Sequence, residues 1–104
     1  MPLVVRSPLA KRDIVDVIAF TKRRWGSEQA RAYGALITEA LNALTTNAWL
    51  GVLRDDIRPG LRAYHIRQSG RPARHILFYV VADGGIVRLV RLLHEAMDFT
   101  QHLT

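Results

Sequence analysis

The residues best equipped for chemistry in this sequence are histidines, one tyrosine and several arginines, and most lie in its second half. His65, His75, Tyr79 and His94 can accept or donate protons, and Arg62, Arg74 and Arg91 can hold developing negative charge. A base, a cation and an acid are the parts needed to cut RNA by attack of its own 2′-hydroxyl. Each residue also has a purely structural reading. His75 and Tyr79 have the same parity on an extended run, so they share a face, and both could be packed with their polar tips satisfied. His94 ends an apolar run and could anchor the turn that follows. Arg58, beside Pro59-Gly60, could brace that turn or meet a partner. Arg88 and Arg91 have opposite parity and cannot share one sheet face, so at least one is ordinary surface.

Other chemistries have less support. His65, His75, His94 and His102 show no short ligand spacing, and there is no cysteine, so neither a disulfide nor a thiolate metal site can form. Gly84-Gly85 falls between two apolar runs, not ahead of a helix where it could cradle phosphate. No local signature of a nucleophilic triad appears. No metal and no cofactor is expected.

The charge balance points to a partner. The chain has 104 residues and a formal charge of +6, with a sequence pI near 10.8. Of its fifteen basic residues only Lys11 and Lys22 are lysines. Arginine's planar fork suits carboxylate as well as phosphate, so an acidic protein is as good a partner as nucleic acid. An arginine-favouring coding bias would give the same composition. A generic nucleic-acid module is a weaker reading, because Trp25, Tyr33 and Phe78 all fit core positions, leaving few aromatics to stack on bases. The length predicts a single domain over 1–104, and an apolar share of 49% is that of a globular chain. The absence of cysteine, of a leader and of any run near the ~18 apolar residues of a membrane span predicts a cytoplasmic protein with no membrane contact.

These groups must be positioned by a small set of elements. Leu3-Val4-Val5-Arg6 reads as a first strand. Ser7-Pro8 starts a helix, the serine capping a free amide and the proline at the first helical position. Ile14, Val17, Ile18, Thr21 and Trp25 form its apolar stripe, and Gly26 ends it. Ser27 should cap a second helix, with Ala30, Tyr33, Ile37, Ala40, Leu41 and Leu44 facing inward. So short a link predicts an antiparallel helical hairpin. The period then changes. Leu61 to Arg67 partly alternates, Gln68 to Ala73 is a turn, and Arg74 to Val81 reads as a central strand covered on both faces. Asp83-Gly84-Gly85 is a hairpin turn, Ile86 to Leu93 the last strand, and His94 to Leu103 a short helix with Met97 and Leu103 facing inward. The predicted fold is α+β: β-α-α-β-β-β, the helical hairpin packed on a mainly antiparallel sheet, with a short C-terminal helix.

In this layout the chain resembles the RelE/ParE toxin superfamily, and the ParE branch most. The resemblance runs from Ser7-Pro8-Leu9-Ala10 through Trp25-Gly26 to Tyr33. It is most specific at Asp56-Ile57-Arg58-Pro59-Gly60-Leu61-Arg62, at His75 to Tyr79, and at Arg91 to Asp98. It implies the toxin of a type II toxin–antitoxin pair, of the plasmid-stabilising kind, that inhibits DNA gyrase by binding. A ParD-like antitoxin with an acidic C-terminal tail would neutralise it in a hetero-oligomeric complex. The residues proposed to contact target or antitoxin are Arg58, Arg62, Arg74, His75, Tyr79, Arg91 and His94.

The RelE branch implies the alternative, a ribosome-dependent mRNA endoribonuclease. Two departures weigh against it. No lysine follows Lys22, whereas RNase members tend to use lysines along the sheet, and no glutamate lies between Glu39 and Glu95. The expectation is a binding toxin without catalytic residues.

Overall fold

The computed structural model describes residues 4–103, so Leu3 of the expected first strand lies outside the described residues. The elements run β1 (Val4–Arg6), α1 (Pro8–Trp25), α2 (Ser27–Thr46), β2 (Val52–Leu53), β3 (Arg62–Gln68), β4 (Arg71–Val81), β5 (Val87–His94) and α3 (Phe99–Leu103). They form one sheet in the order β1-β5-β4-β3-β2, antiparallel throughout except that β1 lies parallel to β5. This is the expected α+β layering. Among the described residues no helix is long and apolar enough to cross a membrane.

Helix α1 starts where its cap is. The Ser7 hydroxyl accepts the Ala10 amide at 3.0 Å, and Pro8 occupies the first turn, where no amide is missed. The same hydroxyl donates to the carbonyl of Val90 at 2.8 Å, tying the helix start to β5. At the other end Gly26, at φ +98°, donates its amide to the Lys22 carbonyl and accepts the Ala30 amide on its own carbonyl. One residue thus ends α1 and starts α2. Ser27, expected as the second cap, is instead the first helical residue and makes no side-chain cap.

The sheet has a core on each face, which is why β4 is almost wholly apolar. Between hairpin and sheet lie Ile37, Leu41, Leu44, Ile66, Leu77, Tyr79, Val87, Leu89 and Leu92. On the opposite face α3 and the loop at Ile57 cover Leu61, Ile76, Phe78, Leu93 and Leu103. Burial of such side chains contributes roughly 1.5–3 kcal/mol each.

Several expectations need correction. The sheet has a fifth strand, β2, too short to show alternation. The β3–β4 turn is only Ser69-Gly70, both at positive φ as a two-residue type I′ turn requires, so Pro72 lies inside β4 and not in a loop. Leu103 is buried as expected, but Met97 is 45% exposed. Trp25, the last residue of α1, is 63% exposed, and its indole meets the guanidinium of Arg24 at 5.1 Å. Phe20 and Trp49 are also exposed, so surface aromatics are not sparse.

Candidate partner-binding site

Where the last turns of α1 and the first turns of α2 stand over the β3–β4 hairpin, they leave an open groove of about 510 Å³. This volume is comparable with sites that hold small molecules or a few side chains, roughly 300–1,000 Å³. Phe20 and Trp25 form its α1 wall, Tyr33 belongs to α2, and Arg74, His75 and His94 come from the sheet. Phe20 lies off the apolar stripe of α1, which is the sequence signal for its exposure; Trp25 gave the opposite signal, because its spacing matches that stripe.

The groove's polar groups form a connected array. His75 and His94 are cross-strand partners, their rings edge-to-face at 5.2 Å. The Tyr33 hydroxyl lies 2.7 Å from Nδ1 of His75. His94 Nδ1 accepts the Ala96 amide at 3.0 Å, the turn-anchoring role that its position suggested. Burial, with a smaller contribution from His94, pushes His75 down to about 4, and burial pushes Tyr33 up to about 12. At pH 7 both are therefore neutral. Arg74 reaches Glu95 at 3.2 Å but stays 76% exposed in its side chain.

The other proposed contact residues are elsewhere. Tyr79 is fully buried on the helical face it shares with His75; its hydroxyl donates to Ala48 O and accepts the Gly51 amide, both at 2.8 Å. It holds the loop before β2 and has no surface to offer a partner. Arg62 serves the same loop, donating to Gly51 O at 2.7 Å and stacking over Trp49 at 4.9 Å. Arg91 forms a two-pronged ion pair with Asp13 at 2.7 and 2.9 Å, which raises its pKa. Arg88 is the exposed one of the two β5 arginines. Arg58 is exposed, and among the described residues its side chain has no hydrogen bond or ion pair. Asp55 and Asp56 are occupied within their own loop, the first by the Gly60 amide and the second by Arg54. His65 lies on β3, away from the groove. No group of three or more metal-ligating side chains occurs among the described residues.

The structure is thus a small basic α+β domain whose second-half polar residues are largely turned to structural use. The family model for the ParE toxin of the type II toxin–antitoxin system parDE matches residues 4–99, and the chain belongs to that family. It is 33% identical over 97 residues to Toxin ParE1 of Mycobacterium tuberculosis, covering 93% of both chains. It is 31% identical over 94 residues to Toxin ParE1 of Caulobacter vibrioides, covering 90% of each, and 29% identical over 96 residues to Toxin ParE of Escherichia coli, covering 90% of this chain and 85% of that one. A solved structure described as the chromosomal ParDE TA system from P. aeruginosa superposes with a TM-score of 0.73 at 18% identity, covering 90% of this chain and 96% of the other. That likeness supports the fold.

Proposed function

We propose that this ParE-type toxin acts by binding and not by catalysis: it occupies DNA gyrase, and a ParD-like antitoxin with an acidic tail silences it. The observation that carries this reading is the use made of the polar residues. Tyr79 is buried against Ala48 and Gly51, Arg91 is committed to Asp13, and Arg62 is committed to the Trp49 loop. What remains open is an aromatic groove with a basic surround, the form of a docking surface. Eight arginines between Arg54 and Arg91 face only three acidic residues in the same span. That excess favours an acidic partner and predicts that antitoxin affinity falls with salt, mainly through slower association.

The test is a supercoiling assay with purified gyrase, run beside an mRNA-cleavage assay on translating ribosomes. The expected result is inhibited supercoiling, with trapped gyrase–DNA complexes and intact message. Cleaved message with unimpaired gyrase would overturn the reading.

A further inference from the structure

The segment from Trp49 to Leu53 turns four large apolar side chains to solvent within five residues. Trp49, Leu50, Val52 and Leu53 are between 45% and 68% exposed. The backbone beneath them is held firmly. Asn47 Oδ1 accepts the Trp49 amide at 3.0 Å. The Tyr79 hydroxyl bonds the Ala48 carbonyl and the Gly51 amide, and Arg62 donates to the Gly51 carbonyl while stacking over the Trp49 ring. Polar side chains from β3 and β4 thus serve to keep an apolar surface outside. An apolar patch on so fixed a frame has the form of a protein interface, because little order remains to be lost on binding.

The strand in this segment gives the contact a direction. β2 is the outermost strand of the sheet, so among the described residues no strand flanks its far side. Arg54 turns its amide inward to the Leu61 carbonyl at 2.7 Å. By the alternation of an antiparallel ladder, Leu53 turns its amide and carbonyl outward. An edge of this kind pairs with another strand unless a charge or a proline blocks it, and Val52 and Leu53 are neither.

Charge selects the occupant. The whole chain carries +6, yet between Asn47 and Leu61 Arg54 and Arg58 are cancelled by Asp55 and Asp56. Arg54 and Asp56 are also paired with each other. An acidic partner finds no net attraction here, whereas a second basic chain meets no net repulsion. We propose that this edge binds the same edge of a second copy of the chain, β2 against β2 in antiparallel register, about a two-fold axis beside Leu53. One surface then supplies both halves of the contact, as an isologous interface requires. None of the residues lining the groove between hairpin and sheet falls between Asn47 and Leu61, so each copy keeps its groove free. The pair is a two-site molecule, and a partner that is itself dimeric would engage it with avidity. This self-association goes beyond the gyrase reading and does not depend on it.

The test is sedimentation equilibrium of the full chain alone over a wide range of concentration. The expected result is a reversible monomer–dimer equilibrium. With Leu53 facing its own copy, Val52 faces Arg54 of the second copy, so Val52→Lys sets like charges opposite each other. It should weaken the dimer at least about tenfold, with an unchanged circular dichroism spectrum. The chain has no cysteine, which allows a second arm that stands even where Val52→Lys folds poorly. Leu53 and its copy would have Cα atoms about 5.5 Å apart, within reach of a disulfide. Mild oxidation of Leu53→Cys should therefore give covalent dimers, and oxidation of Arg31→Cys, on the exposed face of α2, should not. A chain that stays monomeric at every concentration, a dimer that folded Val52→Lys leaves intact, or equal cross-linking at the two cysteine positions would overturn the proposal.

Discussion

Asp13 and Arg91 lock helix α1 onto an irregularity in the sheet. In the β4–β5 pairing Phe78 faces Arg91 and Tyr79 faces Leu89, which leaves Val90 without a partner. Asp13 takes the Arg91 guanidinium in two bonds and the Leu92 amide in a third, at 3.0 Å, while Ser7 takes the Val90 carbonyl. The polar groups that the bulge frees are thus satisfied by the first turns of α1. Both side chains of the ion pair are nearly buried, at 16% and 12% exposure.

Removing one partner of such a pair leaves an uncompensated charge. Arg91→Ala should cost about 2–4 kcal/mol in urea unfolding, and Asp13→Ala a similar amount, with the double variant well below the sum. Toxicity should fall only in proportion to the folded protein lost. A loss of less than about 0.5 kcal/mol in Arg91→Ala would show that the pair is incidental.

Tyr79 and Gly51 form a second coupled site. A Cβ on Gly51 would lie 2.6 Å from the Tyr79 hydroxyl, so the loop is built around that oxygen. Tyr79→Phe leaves Ala48 O and the Gly51 amide without their bonds and should cost about 2–4 kcal/mol. Gly51→Ala should be at least as damaging alone, and less so when added to Tyr79→Phe, although ring carbons at 2.8 and 3.0 Å still crowd it. Strict additivity in thermal unfolding would refute the close approach.

His75 links stability to pH. Its folded value is depressed from 6.5 to about 4, because burial disfavours the imidazolium. The stability it contributes is fully present above about pH 6.5 and is lost as pH falls through 4. The residue is half-buried, so solvent screening reduces the contribution to roughly 1–2 kcal/mol. Denaturation curves between pH 7 and 4 should show this loss, and His75→Gln should flatten it.

Arg58 separates contact from scaffold. Its side chain is exposed and engages nothing among the described residues, so Arg58→Ala should leave stability within about 0.5 kcal/mol. A target contact there would raise the concentration needed for half-inhibition of gyrase about tenfold, a loss typical of one charge-assisted hydrogen bond. Unchanged inhibition would remove Arg58 from the contact surface.

Periodicity made the helical hairpin and the central strand legible, because their apolar spacing is long and regular. Caps were legible where side chains do the capping, as at Ser7, and misleading at Ser27, where a glycine backbone does the work. Strand β2 was not legible: two residues cannot show a period, and what holds the loop before it is Tyr79, 28 positions away. Trp25 followed the helical spacing of a core residue, yet it lines an open groove and stays exposed. Parity on β4 placed His75 and Tyr79 on one face, but no pattern shows that one lies at the open end and the other is sealed. The roles of Arg91 and Asp13 depend on a contact across 78 positions and on a bulge that leaves no mark in composition.

The parallel pairing of β1 with β5 has a consequence for how the molecule comes into being. Val4 sits beside Val87, and Ser7 bonds a carbonyl 83 positions later. Among the described residues, the hydrogen bonds that Ser7 and Asp13 make to the sheet all land on β5, far along the chain from them. At roughly 5–20 residues per second, several seconds separate synthesis of the hairpin segment from synthesis of β5. Closure of the fold, and with it any surface that depends on the finished sheet, must wait until β5 has been made and released to pair with β1 and β4.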